Sequence, residues 1–429
     1  MSDLIIKEVF AYEVLDSRGN PTLATEITLS DDSSSMSYLP SGASTGKHEA
    51  LEKRDLDENR YSGKGVLKAV NTVNKEIRQL LIGLNPLDQK NIDLMLCQAD
   101  GTKDKSNFGA NSILGASLAI LKVSSKSKKL PLYQYLILKF KEFFDDDIEP
   151  KLPIPMMNIL NGGVHADNPL DFQEFMIQPS RFQDFKSAIQ CGVEIFHQLK
   201  EILKKEKLNT SIGDEGGFAP QLNSPEEALD LIVRAIEQSG YKPGVEVFIS
   251  LDCASSELLE SDQYLLKGID RSMNSTELVN YLENLRSKYP ISSIEDGLAE
   301  EDWQGWKLLT EKLGSTTQLI GDDIFVSNTE RIRKGVDQNV ANSVLVKINQ
   351  VGTIYEALEA LNFSKKNNYK PVISHRSGET EDTSIADICI ATGTRQIKTG
   401  APSRTDRVAK YNRMLILEEK FNLSFSGKR

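Results

Sequence analysis

Cysteine is scarce in this chain, and its placement excludes two protein classes at once. Cys97, Cys191, Cys253 and Cys389 lie far apart with no CxxC spacing. They outline neither a disulfide framework nor a cysteine-based zinc site, so reduced thiols are the default. No uninterrupted apolar run is long enough to span a bilayer. The opening MSDLIIKEVF lacks the basic segment and apolar stretch of a secretory leader, so a cytoplasmic location is expected. A basic stripe is also missing. With a formal net charge of -11, nucleic acid is not expected as the main partner. An acidic protein that handles an anion must supply positive charge locally, from metal ions or clustered lysine and arginine.

At 429 residues the chain exceeds one ordinary core, so two domains are expected. Segments 4–14 and 22–30 alternate apolar and polar residues, the period of half-buried strands, around a turn cluster from Asp16 to Pro21. A short strand at 36–39 leads into Ser41 to Gly46, a run of small residues. That run reads either as a mobile loop that approaches a ligand or as a plain connector. Helical periodicity follows over 64–82, 87–98, 108–127 and 131–144, which predicts an α+β domain over residues 1–135. The charged stretch Lys139 to Lys151 is the candidate linker, and 136–429 is the second domain.

Beyond Pro153 the texture changes. Strands near 155–160 and 172–178 flank a glycine-rich loop carrying His165, and helices over 183–206 and 225–239 flank a second such loop carrying Glu215. Then one phrase recurs: an apolar strand, a polar terminal residue, an amphipathic helix. The strands end at Asp252, Glu295, Asp322, Lys347, His375-Arg376 and Lys398. After a longer first interval, the spacing suits one strand plus one helix. Such alternation predicts an α/β fold, a parallel sheet closed into a β/α barrel whose active site gathers at the C-terminal strand ends.

Three carboxylates at one mouth repel one another unless a cation lies among them. A single strand-end acid is ordinarily a solvated cap; three in successive units point to a metal, and all-oxygen donors favour Mg²⁺ or Mn²⁺ over zinc. Lys347 ends the apolar strand Val344 to Val346. Burial there would lower its pKa and make it a base, whereas a snorkelling ammonium would do nothing. Arg376 carries the fork that suits phosphate or carboxylate oxygens, and Ser377 can add a hydroxyl. Glu215 is placed like a general acid or like a turn acid. Base and acid on different segments suit a β-elimination through an enolate-like intermediate that metal ions stabilise. His48 and His197 read as ordinary helix residues.

Eleven stretches carry a resemblance: DSRGNPT (16–22), SGASTG (41–46), NGGVHADN (161–168), FQEFMIQP (172–179), GDEGGFAP (213–220), SLDCASSE (250–257), SIEDGLAEEDW (293–303), GDDIFVSN (321–328), VKINQVGT (346–353), SHRSGETED (374–382) and IKTGAPSRTDRVAKYN (397–412). From end to end the chain resembles the enolase family, and the wording HADN and IEDGL has a bacterial cast. The resemblance implies a small α+β domain on a barrel that opens ββαα. It implies a cytoplasmic glycolytic and gluconeogenic lyase that interconverts 2-phosphoglycerate and phosphoenolpyruvate with two Mg²⁺, replaceable by Mn²⁺. Lys347 would take the C2 proton, and Glu215, assisted by Glu174, would protonate the departing C3 hydroxyl. Asp252, Glu295 and Asp322 would hold the first metal, and Ser44 on the mobile loop 41–46 the second. Arg376 and Ser377 would bind phosphate, while Gln173, His165, His375 and Lys398 would line the substrate pocket. A homodimer is implied; higher assembly, a cell-surface role and a partnership in RNA degradation are left open. Two other readings compete. One is a related enzyme acting on a different carboxylate, against which Arg376-Ser377 and the Ser44 loop argue. The other is a binding protein on the same scaffold, which loss of a catalytic residue would favour; none is lost.

Overall fold

The computed structural model describes residues 4–42 and 46–427. Alternation in the first forty residues produces a meander: strands Ile6–Leu15, Pro21–Leu29 and Ser34–Tyr38 pair antiparallel in chain order. Asp16 sets the first turn, its Oδ1 accepting the Arg18 and Asn20 amides at 2.8 and 2.9 Å, a side chain closing a backbone turn. The helix Ala110–Ser127 is buried along most of its length. A helix apolar all round must be covered on every flank. At Gly115 an added Cβ would lie 2.5 Å from Thr25 Oγ1 of the sheet, so only glycine permits that approach. On another flank Ser117 Oγ accepts the Ile354 amide of a barrel helix at 3.0 Å. This helix ties the two units together.

The same junction buries Asp93. Its carboxylate accepts Gln89 Nε2 at 3.0 Å and the Tyr355 amide at 2.9 Å. Burial pushes its pKa from 3.8 up to about 7, against the pull of those hydrogen bonds. Between about pH 4 and 7 the folded state therefore keeps a proton that the unfolded chain has released, and stability falls as pH rises through that window. Asp93→Asn should remove that fall, on the order of a few kcal/mol. The check is denaturant unfolding of both proteins at the two ends of the window. The variant's advantage should appear only at the upper end, and an equal difference at both ends would refute the assignment.

The second unit closes eight strands into a barrel: Ile154–Asn161, Glu174–Pro179, Val247–Asp252, Ile291–Glu295, Gln318–Gly321, Ser343–Val346, Lys370–Ser374 and Gln396–Lys398. The second runs against both neighbours, and every other pairing is parallel. The barrel thus opens ββαα and continues in βα units, with helix starts capped by Ser224, Asn274, Asn328 and Thr353. Reversal of one strand has a chemical result. Its N-terminal end lies at the mouth where the others finish, so Glu174 pairs in register with Asp252. Inside the barrel, Met156, Met176, Ile320, Leu345 and Val372 form an apolar plug beneath that mouth, while Val344 and Val346 join the main core. Strands covered on both faces need apolar residues throughout.

Two expectations move. The stretch 139–151 is not a linker throughout, because the helix Leu132–Phe144 occupies its first part, with Tyr133, Leu136 and Phe140 buried along one face. Only 145–150 is irregular. His48 lies in a turn rather than a helix, its Nε2 2.5 Å from Glu301 Oε1; His197 is helical. No helix among the described residues is long and apolar enough to cross a membrane.

Candidate active site

The strand Ser343–Val346 delivers Lys347 to the mouth, where its amide donates to Ser327 Oγ at 2.9 Å. Its side chain is 14% exposed and its Nζ contacts Asp322 Oδ2. Lys398 Nζ lies 2.8 Å from Glu295 Oε1, 2.9 Å from Asp252 Oδ2 and 3.2 Å from Glu174 Oε1. Both lysines lie directly on carboxylates, which corrects the expected lowering of the Lys347 pKa. Burial is the largest influence and pulls the Lys347 pKa down, but the carboxylate charges, Asp322 first and then Glu295, together outweigh it and the net shift is upward. Lys398 likewise loses to burial and gains more from Asp252, Glu174 and Glu295, ending well above the usual lysine range.

The carboxylates show the same demand for positive charge. Burial, then the Asp252 charge, pushes Glu295 well above the usual range. Burial also pushes Asp252 up, but Lys398 holds it below. Two further acids belong here that the sequence reading passed over: the carboxylates of Asp296, Asp322 and Asp323 lie within 4.8 Å of one another. Asp296 accepts the amides of Asp322 and Asp323 at 2.9 and 3.0 Å. The doublets Glu295-Asp296 and Asp322-Asp323 were the available signal. Strand alternation would turn each second acid away, and only the bend at Asp296, φ +42°, brings its carboxylate back. In donor chemistry the set suits a hard divalent cation: Asp252, Glu295 and Asp322 offer oxygen alone. Glu295 Oε2 is buried without a hydrogen-bond partner among the described residues, while the carboxylates drawn closest are those of Asp296, Asp322 and Asp323.

Across the mouth stands a second cluster, His165, Glu174 and Glu215. His165 Nδ1 is 3.6 Å from Glu174 Oε1 and 3.8 Å from Glu215 Oε1. The loop that presents Glu215 turns at Gly216, φ +88°, where an added Cβ would stand 3.0 Å from Ser403 O; glycine is required there. Asn158 Nδ2 donates to Glu215 Oε2 at 3.1 Å, and His375 Nε2 lies 3.2 Å from the same oxygen. Burial lowers the His375 pKa to about 4, so its imidazole is neutral. Arg407 Nη1 donates to His375 Nδ1 at 2.6 Å, which places the imidazole proton on Nε2, facing Glu215. Burial pushes Glu215 up, but His375, His165 and Arg407 outweigh it and hold it well below the usual range. Glu174 goes well above, through burial and the Glu215 charge. The two carboxyls are pushed in opposite directions and titrate as a unit, with Glu174, the residue read as the assistant, the more basic of the two.

Arg376 is buried, and its fork is engaged. Glu49, from the N-terminal unit, accepts Nη1 at 2.8 Å and Nη2 at 3.3 Å, and Asn349 Oδ1 accepts Nη1 at 3.1 Å. Glu49 also accepts the Gly46 amide at 2.9 Å and Gln350 Nε2 at 3.3 Å, while Gln350 donates to Asp322 at 3.0 Å. No pattern in the sequence marks Glu49, because its role appears only when the two units dock. Arg407, also unmarked, is fully buried. Gln173 donates to Asp252 Oδ2 at 3.4 Å, and Ser377 lines the same pocket as His165, Lys347, His375 and Arg376. Ser44 lies outside the described residues, so only Ser41, Gly42 and Gly46 of the loop 41–46 are placed.

Two family models match the chain. One, described as enolase, N-terminal domain, covers residues 6–136, and one described as enolase, C-terminal TIM barrel domain, covers residues 149–428.

Proposed function

The chain belongs to the enolase family and is a lyase of the enolase type; from that premise we propose that it dehydrates 2-phosphoglycerate reversibly to phosphoenolpyruvate. The observation that carries this reading is one pocket lined both by Lys347 and by the carboxyl pair Glu174 and Glu215. Lys347 Nζ takes the proton from C2. The electron pair left on C2 forms the C2–C3 double bond as the C3–O bond breaks. The hydroxyl leaves as water with the proton held by the Glu174–Glu215 pair, and His165 and His375 keep that pair in place. Arg376 and Ser377 take the phosphate, so arriving phosphate exchanges with the Glu49 carboxylate on the Arg376 fork. Because Glu49 also holds the Gly46 amide, this exchange competes with that hydrogen bond as substrate binds.

Asp252, Glu295 and Asp322 would hold Mg²⁺, which supplies positive charge to the substrate carboxylate while negative charge builds on it. With Asp322 and Glu295 both committed to a cation, the influences left on Lys347 favour its neutral amine: burial first, then the Arg376 and Lys398 charges. Ser44, with the phosphate, would hold a second Mg²⁺ in this reading.

Product formation is visible directly, because its C=C bond is conjugated with a carboxylate. Protein mixed with 2-phosphoglycerate and Mg²⁺ should show rising ultraviolet absorbance that excess chelator stops and fresh Mg²⁺ restores. No rise from folded, Mg²⁺-saturated protein would sink the proposal.

A further inference from the structure

The opposite end of the barrel holds a second concavity, of about 880 Å³, at the strand starts. Volumes up to about 1,000 Å³ are typical of small-molecule sites. Its charge is one-sided. Arg181, Lys365, Lys370 and Arg395 line it; among the described residues no carboxylate lines it and none of the four forms an ion pair. In a chain of net charge -11, four cations around one hollow make a local positive field, tempered on one side where the Asp146 charge reaches Lys365.

The barrel interior changes character above this hollow. Below the apolar plug, where such barrels ordinarily stack branched apolar side chains, lie Gln178, Ser250, Ser293, Gln318, Ser343 and Gln396, joined by hydrogen bonds. Gln318 and Gln396 exchange amide hydrogen bonds of 2.8 and 2.9 Å and line the hollow. Ser426 Oγ, on its wall, is buried without a hydrogen-bond partner among the described residues. An unmet buried hydroxyl is costly, and a ligand oxygen would meet it. Ile154, Phe248, Tyr369 and Pro371 add an apolar, partly aromatic stretch of wall, beside the polar Ser180, Ser292, Asn368 and Thr394.

We propose that the barrel base is a second ligand site, separate from the mouth, for a small phosphorylated molecule that carries a flat ring. The phosphate faces the four cations, and the ring lies on the apolar wall. The adjoining groove shares Lys365 and Arg395 with the hollow but adds Asp145, Asp146, Asp147 and Glu149 beside Lys151 and Lys366, so a long polyanion would meet like charge there. That boundary selects a compact ligand over nucleic acid.

The test is calorimetric titration of the Mg²⁺-saturated protein with adenosine monophosphate, and separately with inorganic phosphate. Adenosine monophosphate should saturate one site, unchanged in Lys347→Ala and weakened at least about tenfold, roughly 1.4 kcal/mol, in Lys365→Ala/Arg395→Ala. That variant is judged folded by its unfolding midpoint; should it be destabilised, Lys370→Glu, at an exposed strand start, gives the same readout by repulsion. Absence of saturable binding overturns the proposal, as does binding that survives these variants. Equal affinity for adenosine monophosphate and phosphate overturns the role given to the apolar wall.

Discussion

Lys347→Ala is expected to reduce turnover of 2-phosphoglycerate by at least about 10³-fold, within the range for losing a general base, with substrate binding changed only a few-fold. A purely electrostatic role would also explain a loss, since the ammonium lies on Asp322. Lys347→Arg separates the two. Arginine restores the charge beside Asp322 but cannot give up its proton near neutral pH. If Lys347 acts as the base, arginine leaves turnover as low as alanine does. Recovery of most activity in Lys347→Arg would mean that the residue balances charge and that the base is elsewhere. Exchange of the C2 proton with deuterated solvent offers a second readout. It should vanish in both variants even where the carboxyl pair is intact, because exchange needs only the first proton transfer.

The barrel and its mouth were legible because burial on both faces forces each strand to be apolar until it reaches the site. A polar strand-end residue is therefore a signal in itself. That reasoning located Asp252, Glu295, Asp322, Lys347 and Lys398, which the structure brings together. It could not supply the sign of the Lys347 shift. Burial was visible from the flanking valines, but the opposing charge comes from a residue on the preceding strand, and only register places it. Glu174 was reachable from the resemblance alone, since a reversed strand puts a functional group at its start, against the strand-end rule. Glu49 and Arg407 act from a turn and from the closing helix on main-chain and side-chain groups far away in sequence. Neither position carries a local pattern that sets it apart from a solvated charge.

Arg407→Ala should be the most damaging change outside the reacting groups. The guanidinium is fully buried. It donates through Nη1 to Arg376 O at 2.6 Å and to His375 Nδ1 at 2.6 Å, and through Nη2 to Ser377 O at 2.5 Å and Asp214 O at 3.1 Å. Truncation leaves these acceptors buried without their donor and Asp406 without the charge beside it. Breaking a buried charged network in this way costs about 3–5 kcal/mol. Denaturant unfolding should show that loss, and Arg407→Lys should recover little of it, because an ammonium is a single point and cannot span both loops. Turnover should fall with stability. The same side chain fastens the segment carrying Glu215 to the segment carrying Arg376, and it fixes the His375 tautomer that stabilises the Glu215 carboxylate. In surviving folded protein the pH profile should also change, because His375 Nδ1 is then free to hold the proton and Glu215 loses a donor. An unfolding free energy within about 1 kcal/mol of the unaltered protein would show that water replaces those bonds, and that Arg407 is not what joins the two loops.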